Sequence, residues 1–122
     1  MKPAVLLAVG LAAAALSNTA EAQQCFRPHD IQGFTTANDN RTVYVRVGAN
    51  RVFELRTTGV CPELASRNSI ELNAAGSAST ICSPIEVDLR VGSAGMSVAC
   101  PVDSLRRLSP AETAALPSKL RP

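Results

Sequence analysis

The chain has 122 residues, 12 basic and 10 acidic side chains, a net charge of +2 and 46% hydrophobic residues. That length supports one domain around one core rather than two, and so mild a charge argues against a specialist for DNA or for anionic membranes. With Phe26, Phe34, Phe53 and Tyr44 as the aromatics, the core must be built mainly from Val, Ile and Leu, and at this size it gains from covalent staples.

The first segment is read as an address rather than as fold. Met1-Lys2-Pro3 is a basic head, Ala4 to Leu16 is an apolar run, and Ser17 to Ala22 is a small polar tail with Ala20 and Ala22 at the −3 and −1 positions of an A-x-A site. This is the three-part plan of a secretory signal peptide. The apolar run is too short for a transmembrane helix, which needs about 20 residues. Cleavage after Ala22 is therefore expected to remove 1–22. Residues 23–122 then form a single exported β domain, in the periplasm or outside the cell, with no membrane insertion. Loss of Lys2 and Glu21 takes the 12 basic and 10 acidic residues to 11 and 9, leaving the charge unchanged.

Cys25, Cys61, Cys82 and Cys100 follow. An even count in a small exported chain predicts two disulfides. Zinc ligands usually come in close pairs such as C-x-x-C, and the sequence has none, so no metal and no cofactor is expected. Gln23-Gln24 separate Cys25 from the cleavage point, which speaks against a lipid anchor.

Strand chemistry runs from residue 31 to residue 107. Thr42 to Val47 alternates strictly, with Val43, Val45 and Val47 on one face and Thr42, Tyr44 and Arg46 on the other. Asn38-Asp39-Asn40 ahead of it is a turn cluster. Arg51 to Arg56 alternates again, with Phe53 and Leu55 on the apolar face. A three-residue loop, Gly48-Ala49-Asn50, joins the two, and Asn50 is expected in the left-handed position. That register sets Val45 opposite Phe53, Val43 opposite Leu55 and Tyr44 opposite Glu54. A two- or four-residue loop would place apolar side chains against polar ones.

Gly59 to Asn68 breaks the pattern. Cys61-Pro62-Glu63-Leu64-Ala65 fits one helical turn with Pro62 at its first position. Short strands are predicted at Ser69–Leu72 and Ser79–Ser83. Glu86 to Val91 alternates, with Val87, Leu89 and Val91 inward, and Gly92-Ser93-Ala94-Gly95 turns the chain into a partner strand from Met96 to Val102. Asp103 to Leu108 continues extended. Ser109-Pro110-Ala111-Glu112 is a helix start, with a serine cap, proline at the first position and glutamate three residues after the cap. Pro117 ends this short helix, and 117–122 are expected to fray. The fold class is thus all-β in the main: six to seven short strands, a short C-terminal helix and two disulfides, arranged as a sandwich or, preferably, a small partly open β-barrel.

The order of Cys25-Phe26, Asp30-Ile31, Thr42-Val43-Tyr44-Val45, Cys61-Pro62-Glu63-Leu64, Ser69-Ile70, Ile81-Cys82, Cys100-Pro101-Val102 and Arg107-Leu108 before Ser-Pro-x-Glu resembles a family of small exported proteobacterial proteins of unknown function. The cysteine framework carries most of the specificity. Phe34 stands where the family pattern leads one to expect tryptophan after Gly33, and an aromatic is missing before Ile81. The resemblance implies one exported, disulfide-stapled domain and no particular activity.

Catalytic chemistry finds little to use. His29-Asp30 is the one place for a general base, but no serine lies in a G-x-S-x-G elbow and neighbours in extended chain point apart. Pro28-His29-Asp30 reads better as a turn with Asp30 bonding nearby amides. Glu86 and Asp88 share a strand face, best read as solvated, with Arg90 neutralising one of them. Arg46 and Arg56, with Tyr44 between and Thr42 and Glu54 beside, form the candidate partner-binding face. They are too thin a set for a nucleic-acid platform, and no nucleic acid is expected.

Four cysteines allow three pairings. A nested pattern, Cys61–Cys82 inside Cys25–Cys100, is expected, contributing about 3 and about 4 kcal/mol. The resulting reading is a non-enzymatic exported domain that binds an envelope component or another protein. A small hydrolase or lyase using His29, and a purely structural envelope protein, are the alternatives.

Overall fold

The computed structural model of the chain describes residues 24–66, 69–93 and 96–122. The expected signal peptide, residues 1–22, lies outside them, as do Ala94 and Gly95 of the expected turn.

Among the described residues, seven strands form two antiparallel sheets. β1 (Ile31–Thr36), β2 (Thr42–Val47), β3 (Arg51–Thr57) and β7 (Val102–Arg107) lie in that order in one sheet. β4 (Ser69–Ala74), β5 (Val87–Ser93) and β6 (Met96–Ala99) make the other. The described residues also form the short helices α1 (Glu63–Ser66) and α2 (Pro110–Ala115). The sheets do not close on each other, so the arrangement is the sandwich and not the favoured barrel.

The core follows from alternation. Val43, Val45 and Val47 on β2 and Phe53 and Leu55 on β3 meet Leu72 of β4 and Val87, Leu89 and Val91 of β5 in one buried cluster. Burying an aliphatic or aromatic side chain of this size contributes about 1.5–3 kcal/mol. The β2–β3 hairpin has the predicted register: Val45 faces Phe53, Val43 faces Leu55 and Tyr44 faces Glu54. The left-handed residue of its loop is Gly48 (φ 63°) rather than Asn50. Glycine has no Cβ to strain there, so it takes the position that asparagine only tolerates.

Two predicted segments differ. No strand forms over 79–83. Instead Ile81 makes an isolated bridge with Phe26, each accepting the other's amide at 2.7 and 2.9 Å. Glu86 lies in a 3-10 turn, Pro84–Glu86, ahead of β5, and its carboxylate caps Ser83. It therefore shares no strand face with Asp88.

The disulfides join Cys25 to Cys82 and Cys61 to Cys100, so they interleave along the chain and the nested pairing is corrected. Register dictates this. Cys25 and Cys82 flank the Phe26–Ile81 bridge, and their Cα atoms are 4.2 Å apart. β3 pairs with β7 so that Thr57 faces Val102, and Thr58 donates to the Pro101 carbonyl at 2.8 Å. That pairing brings Cys61, just after β3, to Cys100, just before β7.

A third layer covers the outer face of the four-stranded sheet. Tyr44, Val52 and Leu108 are buried there, with Ala37, Leu116 and Leu120 packed against them. α2 begins at a complete capping box: the Ser109 hydroxyl accepts from the Glu112 amide, and the Glu112 carboxylate accepts from the Ser109 amide. The tail after Pro117 is docked and not frayed. Ser118–Leu120 forms a 3-10 turn, the Thr35 hydroxyl donates to the Leu120 carbonyl, and the Arg121 guanidinium donates to the carbonyls of Leu116 and Ala114.

Candidate functional site

The face predicted to meet a partner is the one that this third layer occupies. Thr42 is 3% exposed and Tyr44 9%; Arg46 and Glu54 are half-buried, and Arg56 alone of the five is exposed. Thr42 gives its hydroxyl to the Asp39 carboxylate at 2.8 Å. Tyr44 has its phenol held above the usual value by burial and by the nearby Glu54 carboxylate. Arg106 of β7 spans from Glu54, at 3.6 Å, to Glu112 of α2, tying helix to sheet. The sequence pattern distinguishes inner from outer faces, but α2 and the following turn carry too few apolar residues to announce a second burial.

His29 is exposed on the 3-10 turn Pro28–Asp30. The Asp30 carboxylate meets Arg27 Nε at 3.4 Å instead of capping backbone amides. Among the described residues no hydrogen bond joins His29 to a carboxylate or hydroxyl. Glu86 accepts from the amides of Cys82 and Ser83 and from the Ser83 hydroxyl, each at 3.0 Å. Asp88 pairs with Arg90 at 3.3 Å, so both acids have structural work.

Cys61, Glu63 and Cys100 bring potential ligand atoms within 4.8 Å of one another. The two sulfurs are joined in a disulfide, so they are not the thiolates that bind a soft metal. The same disulfide floors a groove of about 220 Å³ walled by Val60, Val98, Ala99 and Pro101. Val60 is 64% exposed, Val98 39%, and Met96, two residues along the same strand face, 72%. All four residues of β6 are exposed, although Val98 stands opposite the buried Val91. The sandwich is therefore partly open at this corner: the core-side face of β6 carries Met96 and Val98, which the opposing sheet leaves exposed. A short, uncharged strand, Met96-Ser97-Val98-Ala99, was the available sequence signal for it.

No described helix is long and apolar enough to cross a membrane. Comparison with curated proteins and with solved structures finds no match. The model of a family of unknown function, DUF6491, matches residues 1–122 from end to end, and the chain belongs to that family.

Proposed function

We propose that this is an exported, non-enzymatic domain that works by holding a polypeptide against the open corner of its sandwich. The observation that carries the reading is the joint exposure of Val60, Met96 and Val98 beside a groove, edged also by Thr57 and Glu63, and an unpaired strand edge. Apolar side chains grouped in this way, unlike singly scattered ones, mark contact surfaces, and a strand edge offers backbone groups to an extended partner. Export is supported by the signal-like N-terminus and by two disulfides, which persist in oxidising compartments. His29 is exposed and, among the described residues, meets no carboxylate or hydroxyl, which supports the non-enzymatic reading over a hydrolase or lyase.

A photo-cross-linking residue placed at position 60 or 98 of the full chain in cells is expected to yield polypeptide adducts. The same residue at position 71, on the far edge of the same sheet, is expected to yield none. Absence of any adduct from position 98 would remove the reading.

A further inference from the structure

A strand at the edge of a sheet is a template for another chain unless something guards it. Among the described residues the two sheets have four edges, and three are guarded. β1 is bulged near Gly33 and covered by the C-terminal turn, where a Cβ on Gly33 would lie 3.7 Å from the Pro122 carbonyl carbon. β7 carries Asp103, Arg106 and Arg107, and the 3-10 turn Pro84–Glu86 lies against it. β4 has Glu71 exposed at its middle, and the 3-10 turn Pro28–Asp30 packs beside it. β6 carries no charge, no proline and no bulge, and among the described residues nothing covers it.

The backbone of that edge has a definite polarity. Cys100 donates its amide to the Leu89 carbonyl at 2.9 Å, and the register continues as Val91 opposite Val98 and Ser93 opposite Met96. Bonded and non-bonded pairs alternate along an antiparallel ladder. Met96 and Val98 therefore spend their amides and carbonyls on β5, while Ser97 and Ala99 aim theirs outward. No hydrogen bond among the described residues reaches those four groups.

We propose that the occupant of this edge is a second copy of the chain, paired antiparallel to β6 about a two-fold axis at Val98. The inference rests on the reading of the β6 corner as a contact surface and names its partner. With the axis at Val98, Ser97 of each copy faces Ala99 of the other, and the pair exchange both amide–carbonyl bonds, so no outward group is left over. Val98 meets the second copy's Val98. Met96, 72% exposed, falls opposite the second copy's Cys100, whose disulfide floors the groove. Each copy thus brings both the protruding apolar side chain and the groove that takes it, at the spacing a two-fold axis requires. Because β6 is uncharged, self-pairing sets no like charges against each other. The product is one continuous sheet, β4-β5-β6 joined to its symmetry mate.

The test uses purified, oxidised chain in sedimentation equilibrium across a concentration series. The expected result is twice the chain mass at high concentration, dissociating on dilution. Ser97→Pro removes only an outward amide, which an edge strand tolerates, and Val98→Lys puts a charge on the axis. Each is expected to raise the dissociation midpoint at least tenfold while leaving thermal unfolding of the single chain near the wild-type value. As an independent reading, Val98→Cys is expected to give a reducible covalent dimer under copper phenanthroline, because cysteines in a non-bonded antiparallel pair lie at disulfide distance. Ser97→Cys, which faces Ala99, is expected not to. Wild-type chain of single mass at every concentration, with no Val98→Cys dimer, would overturn the second copy as occupant. The contact reading would then stand on the adducts from position 98 in cells if those are to other polypeptides. It would fall with the inference if there are none.

Discussion

Asp39 shows how much one side chain organises. Its carboxylate accepts from the amides of Arg41 and Thr42 at 2.9 and 3.0 Å and from the Thr42 hydroxyl, and the next residue, Asn40, takes a left-handed φ of 55°. Burial works to raise the Asp39 carboxyl, but those bonds outweigh it and hold the group below its usual value. Glu86, through the Cys82 amide and the Ser83 hydroxyl, and Glu112, through the Ser109 amide and Arg106, are lowered as well. A carboxyl whose folded value lies below its unfolded one contributes stability that is fully present above the unfolded value. That stability is lost as pH falls through the folded one. The urea midpoint should therefore hold down to about pH 5 and fall progressively below it, since ordinary carboxyls are about half protonated near pH 4. Asp39→Asn should flatten part of that fall, and a midpoint unchanged to strongly acid pH would contradict these assignments. At this scale the turn cluster was legible from Asn38-Asp39-Asn40. The choice of Gly48 over Asn50 was not, because both types reach the left-handed region and only the path of the loop decides between them.

At the scale of elements, the hairpin and α2 were readable because each is fixed by chemistry close in sequence. Alternation set the β2–β3 register through the burial of one face, and the Ser109–Glu112 box set the start of α2. Ser109→Ala should cost about 1 kcal/mol, seen in chemical unfolding as a lower midpoint with an unchanged slope. If stability is unaltered, α2 does not hold the outer layer down as described. The segment 79–83 misled because Thr80-Ile81 has strand-like composition, yet its pairing partner is a single residue, Phe26, 55 positions away. β1 was part of a generally strand-rich region and had no alternation of its own: four of its six residues from Gly33 onward are half-buried, since its far side meets the C-terminal turn.

For the whole molecule, the long-range facts were the ones composition could not reach. Order along the chain suggests nested disulfides, middle pair inside end pair, whereas strand pairing brings Cys61 to Cys100 and the Phe26–Ile81 bridge brings Cys25 to Cys82. Loops closed over 57 and 39 residues each contribute about 4 kcal/mol in the chain-entropy view, comparable with the net stability of a domain this size. Non-reduced peptide mapping should recover Cys25 with Cys82, and Cys25→Ser/Cys82→Ser should lower stability by about that amount; a Cys25–Cys100 peptide would refute the fold's account of the pairing. The candidate site divided in the same way. Faces were legible, but which face lies open was not, since that depends on where the chain's own C-terminus docks. Tyr44 and Thr42 are covered, while the uncharged Met96–Ala99 edge, with no chemistry to draw notice, is bare. The central claim is that this edge is where the protein meets a second copy of itself, and amide hydrogen exchange at Ser97 and Ala99 tests it most directly. In dilute chain both should exchange fast while Val98 is protected by β5, and both should become protected as the chain is concentrated. Protection at Ser97 and Ala99 that is already present in dilute chain, or that never appears, would contradict it.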